Sequence, residues 1–131
     1  MKNSITAVMM TLALLSGLSV SVHARPENEN DVAAELFERH CRACHSKQPP
    51  PKTAPPVQGI ASHYRKAFSS KEAAVRHMVR FMQQPDAESS ILGEQAVTRF
   101  GLMPVMSLNT EELRRVAAWL WDQYDPAFTC K

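Results

Sequence analysis

Two thiols and an imidazole stand close together in this chain, in the run Cys41-Arg42-Ala43-Cys44-His45. Thiols at this spacing can each add to one of the two vinyl groups on a porphyrin edge. The adjacent imidazole then lies under the iron and supplies its proximal ligand. C-x-x-C-H is the spacing of c-type haem attachment. Other uses of a cysteine pair fit less well. A thioredoxin-like dithiol needs a preceding strand, and no stretch of the chain shows strict two-residue alternation. A zinc site needs a second Cys/His pair at suitable spacing, and none follows. A disulfide between Cys41 and Cys44 would close too short a loop to stabilise much. The pair is read as the anchor of one covalent haem c, with His45 as the proximal iron ligand.

The second axial ligand must come from elsewhere. Beyond the N-terminal segment the methionines are Met78, Met82, Met103 and Met106. Thioether sulfur opposite imidazole favours ferrous iron and raises the potential, as suits a one-electron carrier. Met78 and Met82 share an apolar helix face at i, i+4 and are read as core. Met103 and Met106 lie in a loop, free of helix constraints, and Pro104 confines Met103 to an extended conformation. His40, His63 and His77 are read as surface or packed histidines. An open sixth site would instead make the chain a haem enzyme or a gas sensor. Haem carboxylates need donors or exposure, for which Tyr64, Arg65, Lys66, Arg80 and Arg99 are the candidates.

The elements that must position these groups are helical. Asp31 to Cys44 reads as a helix with Val32, Leu36, Phe37 and His40 on one face, capped by Asn30 or Asp31. Ser46 to Pro56 holds Pro49, Pro50, Pro51, Pro55 and Pro56 and is a stiff extended loop. Gly59 to Phe68 suggests a short helical turn. Ser69 with Glu72 reads as a capping box for a helix that carries Val75, Met78, Val79 and Met82 and stops before Pro85. Glu94 to Phe100 suggests another short turn. Asn109 with Glu112 is a second capping box, opening a helix from Thr110 to Tyr124. Its stripe is Leu113, Val116, Ala117, Leu120 and Tyr124.

The N-terminus reads as an export signal. Lys2 precedes an apolar run from Ile5 to Val22 that ends in Val22-His23-Ala24, a cleavage pattern. Cleavage after Ala24 would leave residues 25–131 as one haem-binding domain in the periplasm, with no stable membrane insertion. Lys+Arg 15 against Asp+Glu 13 is too little charge for a nucleic-acid footprint. The expected partners are redox proteins, a donor and an acceptor, met by a monomer. Cys130 is left over as an odd thiol, read as part of a frayed tail.

Four local motifs resemble those of class I c-type cytochromes, small monohaem proteins, over most of Asp31 to Tyr124. The first is Phe37-x-x-x-Cys41-x-x-Cys44-His45. The second, Pro55-x-Val57-x-Gly59-Ile60, is similar to a family loop whose proline carbonyl accepts a hydrogen bond from the haem-ligating histidine. The third, Gly101-Leu102-Met103-Pro104, resembles the family's distal-methionine loop. The fourth runs from Asn109-Thr110-Glu111-Glu112-Leu113 into Val116-Ala117-Ala118-Trp119-Leu120. The resemblance implies an all-α cytochrome c fold, three to five helices around one covalent haem, with N- and C-terminal helices crossing. It implies that Pro55 orients His45 and that Met103 is the distal ligand, with Met106 the runner-up. It places Trp119 inward against Phe37 and Trp121 the more exposed, with Ala33 at the crossing. Ala33 and Ala54 stand where the family usually has glycine. The function it implies is one-electron transfer rather than enzymatic catalysis, alone or as the cytochrome subunit of a larger dehydrogenase or oxidase.

Overall fold

The computed structural model describes residues 28–129. The export signal and Cys130 lie outside those residues. Five α-helices follow in order: α1 Glu29–His40, α2 Val57–Ala67, α3 Lys71–Gln83, α4 Glu94–Phe100 and α5 Thr110–Asp122. No strand occurs among the described residues.

Helix α1 starts two residues before the expected place. Asn28, not Asn30 or Asp31, is the cap, its side chain accepting from the Asn30 amide at 3.2 Å. The helix ends at His40 and does not run on to Cys44. From Cys41 the chain tightens into a turn, in which the Cys44 and His45 amides both donate to the Cys41 carbonyl, at 3.1 and 2.9 Å. Helix α3 is capped by Ser70 rather than Ser69, the hydroxyl accepting from the Ala73 amide. Helix α5 opens on the expected reciprocal pair. The Asn109 side chain accepts from the Glu112 amide and the Glu112 carboxylate accepts from the Asn109 amide, both at 2.9 Å. Two orphan donors of the first turn are thereby satisfied.

Two expected turns are full elements. Helix α2 spans 11 residues and starts directly after Pro56, its first amides, Val57 and Gln58, donating to the Ser46 and Lys47 carbonyls. Helix α4 is short and is bracketed by Gly93 and Gly101, at φ +79° and +73°. Those angles belong to glycine, and they let the chain enter and leave α4 at sharp angles.

Helix α5 is the centre of the packing and contacts α1, α2 and α3. On one side Trp119 packs with Ala33 and Phe37 of α1 and Val57 of α2. The Phe37 and Trp119 ring centroids are 4.9 Å apart, tilted by 32°. Lys47 lies over both rings at 5.9 Å and pairs with Glu38. On the other side Leu113, Ala117 and Trp121 pack with Tyr64, Ala74, Met78, Val79 and Met82.

This double burial corrects the reading of Trp121. The two tryptophans do lie on different faces of α5, yet Trp119 is 7% exposed and Trp121 6%. Neighbours pack on α5 from two sides, so the Trp119 face and the Trp121 face are both core. The Arg65 guanidinium covers the Trp121 ring at 4.2 Å and also reaches Tyr124, which is the exposed end of the stripe. Trp119→Ala and Trp121→Ala should therefore each cost about 3–5 kcal/mol in denaturant unfolding. A loss at Trp121 well under that at Trp119 would contradict the sandwiched position of α5.

Candidate functional site

The 46–56 segment forms no regular element, as its prolines require, but it is not extended throughout: it bends at 47–50 and 53–54 and doubles back onto the cysteine turn. The Ala54 amide donates to the Cys44 carbonyl at 3.1 Å, and the Val57 and Gln58 amides donate to the Ser46 and Lys47 carbonyls. Lys52 Nζ donates to the Arg42 carbonyl at 2.6 Å. These bonds bring Pro55, ten residues on in sequence, under the ring of His45. The Nδ1 of His45 lies 2.7 Å from the Pro55 carbonyl oxygen. A carbonyl only accepts, so Nδ1 carries the proton and Nε2 keeps a lone pair. Burial lowers the proton affinity of His45, opposed by the Pro55 bond. A neutral ring with one nitrogen fixed by a carbonyl is the form in which histidine binds a metal.

His45 and Cys44 stand in the wall of a cavity of about 340 Å³. Its remaining wall comes from Thr53 to Pro55, then Ile60 and Tyr64 of α2, Met78, Phe81 and Met82 of α3, Ser90 and Leu92, the α4 face of Ala96, Val97 and Phe100, the 101–104 loop, and Leu120 of α5. Among the described residues no Asp, Glu, Lys or Arg side chain lines it. Cys41 is half-buried beside it against the Phe37–Trp119 cluster. Burial, then the neighbouring Cys44, pushes the Cys41 thiol up to about 11.

The 101–106 loop crosses the cavity from Gly101. Leu102, Met103 and Pro104 line it, and Leu102 and Val105 are largely exposed. Both loop methionines pack on the α3–α5 core. Met106 lines no part of the cavity, and its amide donates to the Met82 carbonyl at 3.0 Å.

A porphyrin fits this donor set. The walls are apolar, two thiols and an available imidazole nitrogen stand at one side, and a thioether is in the wall. Among the candidate carboxylate partners only Tyr64 lines the cavity. Arg65 stacks on Trp121, Arg99 covers Phe100, Arg80 faces an outer recess, and Lys66 is exposed. His40 is exposed, and His63 and His77 are half-buried outside the cavity wall. Met78 and Met82 are core as expected, and cavity wall as well. The sequence reading missed Phe81 and the α4 face. The spacing of Ala96, Val97 and Phe100 at i, i+1 and i+4 between two glycines was the available signal.

Burial, then the nearby Arg80, holds His77 below its ordinary value near 6.5. A folded-state value under the unfolded one means that stability is present above the unfolded value and is lost as pH falls through the folded one. His77→Gln should therefore show a shallower loss of stability than the parent between about pH 7 and 5 in urea titrations. An equal or steeper loss would contradict the buried, neutral state of this ring.

The cytochrome c family matches the chain over residues 31–123. An uncharacterized protein of Aquifex aeolicus (strain VF5) is 24% identical over 135 aligned positions, which cover 88% of this chain and 89% of that one. No solved structure matches the chain.

Proposed function

Because this chain belongs to the cytochrome c family, with its fold of helices around a covalently bound haem, we propose that it is a one-electron carrier with His45 and Met103 as axial iron ligands. One observation carries the reading. Met103 lines the same cavity as His45, whose ring is held by Pro55 in the ligand form, while Met106 lines no part of it. The haem would supply the one-electron couple, and a histidine–methionine pair sets its potential high.

The chain's own residues do the rest. Cys41 and Cys44 hold the cofactor by thioether bonds. Pro55 orients His45 and raises its basicity as a ligand. Apolar side chains from α2, α3 and α4 exclude water, and a dry site keeps the charge change of the couple from being spread into solvent reorganisation. Met103 would take the remaining ligand position, which would leave none for a substrate. The protein is then a carrier and not an enzyme by itself, whether free or as the cytochrome subunit of a larger oxidoreductase. Leu102 and Val105, the latter 67% exposed, border the distal loop where a redox partner would approach.

The N-terminal sequence supports export and removal of residues 1–24, which puts the carrier in the periplasm as a monomer that meets a donor and an acceptor in turn. Haem attachment through thioethers is compatible with that oxidising compartment. No helix among the described residues is long and apolar enough to cross a membrane.

Optical spectra test the ligand pair. The ferric protein should show a methionine-to-iron charge-transfer band. Met103→Ala should abolish it and give a high-spin or misligated spectrum with a lower potential. Met106→Ala should keep the band. The reverse result would move the distal ligand to Met106. A high-spin parent protein whose reduced form binds carbon monoxide would replace the carrier with an open-site enzyme or sensor.

A further inference from the structure

One polar connection leads through the cavity wall to the outside. Tyr64 is 4% exposed and lines the cavity. Its hydroxyl oxygen is 3.0 Å from Nδ1 of His77. The His77 ring meets Tyr64 edge-on, and Phe68 packs on both rings, at 5.7 and 5.3 Å between centroids. On its far side His77 borders an outer recess shared with Arg80, Asp86 and Ser89.

Counting protons at this pair shows that it has two states. A neutral imidazole has one N–H and one lone pair. When Nδ1 holds the lone pair, Tyr64 donates to it. A proton on Nδ1 reverses this bond: His77 becomes the donor, Tyr64 the acceptor, and the hydroxyl hydrogen must turn away from His77. A positive charge then appears behind the cavity wall.

We propose that Tyr64 and His77 are a proton-uptake site coupled to electron transfer, in which His77 binds a solvent proton at Nδ1 as the cavity gains an electron and releases it as the electron leaves. The inference rests on the carrier function proposed above. The balance is one electron from the donor protein and one proton from water. One N–H bond forms on uptake, and Tyr64 keeps its own proton throughout.

The electrostatics favour this direction. An added electron makes the cavity more negative, and no charged side chain in its wall offsets the change. Tyr64 stands in the cavity wall and His77 directly behind it, so part of that change is felt at the His77 ring. Arg80 on α3 opposes a positive charge on the ring, Asp86 of the following loop borders the same recess, and Tyr64 on α2 is neutral. Burial and Arg80 keep the ring unprotonated at neutral pH, which leaves the site free to take up a proton. Linkage makes the coupling reciprocal, so protonated His77 raises the affinity for the electron by the same factor. The potential must then fall as pH rises through the interval between the oxidised-state and reduced-state His77 values, and level off outside it.

The test uses the full haem-loaded protein. The ring protons of His77 are followed by NMR between about pH 5 and 8, in both oxidation states. The potential is measured over the same range for the parent, His77→Gln and Tyr64→Phe. The expected result is a proton affinity roughly five-fold or more higher in the reduced state, and a potential that declines over the same interval. His77→Gln should flatten that decline. Tyr64→Phe should leave His77 titrating with a smaller difference between oxidation states. Equal His77 titration in the two states overturns the proposal, and the parent protein alone decides this if a variant does not fold. A His77→Gln potential that tracks the parent at every pH overturns it too. Optical spectra of the same samples separate the two readings. Both axial ligands in place without redox-dependent titration overturns the coupling alone, whereas a protein without haem overturns both.

Discussion

The hydrogen bond from His45 Nδ1 to the Pro55 carbonyl, at 2.7 Å, is the contact on which the site depends. It fixes the tautomer, and so decides which nitrogen can bind a metal. It also fixes the ring plane, and so the direction in which the cavity must open. Neither partner is placed by a helix. His45 ends a turn that leaves α1 at Cys41, and Pro55 sits at the end of a proline-rich loop. That loop is held by three amide bonds to Cys44, Ser46 and Lys47 and by the Lys52 ammonium on Arg42. Stiff backbone suits this role, because prolines lose little further freedom on ordering. Helix α2 starts directly after the loop, so the same bonds place Val57 against Phe37 and Trp119 and place Ile60 and Tyr64 in the cavity wall.

The rest of the fold answers the need to bury α5 on two sides around a cavity that protein atoms do not fill. Small residues stand where α5 meets its neighbours: Ala33 of α1, Ala74 of α3 and Ala117 of α5 itself are each almost fully covered. The helices can approach closely there, while Trp119, Trp121, Tyr64 and Phe37 supply most of the packed area. A covalent porphyrin in this cavity would make dispersion contacts with its apolar lining, which would couple attachment of the cofactor to the stability of the chain.

Chemistry was more legible in the sequence than packing. The C-x-x-C-H run, the Asn109–Glu112 box and the Met-Pro dipeptide are local signals whose meaning does not depend on distant residues. The expected Phe37–Trp119 contact and the small Ala33 at the crossing are found as the family resemblance implied. Trp121 was misjudged because periodicity reports one apolar stripe and cannot report a second neighbour across the helix. Helix α2 was underestimated because His63, Arg65 and Lys66 dilute its apolar face. Pro104 marked Met103 locally, but that Met103 lines the cavity and Met106 does not is a tertiary fact. The Tyr64–His77 pair is of the same kind, since its partners come from separate helices.

The central claim is that Cys41 and Cys44 hold a haem in the cavity between His45 and Met103. Mass spectrometry of the protein recovered from an exporting, haem-maturing host tests it most directly. The account predicts an intact mass equal to residues 25–131 plus one haem. After proteolysis the haem should stay on the peptide that carries both Cys41 and Cys44, and acid-acetone should not extract it. A protein that loses its haem to acid-acetone, or that carries none on this peptide, would contradict the account.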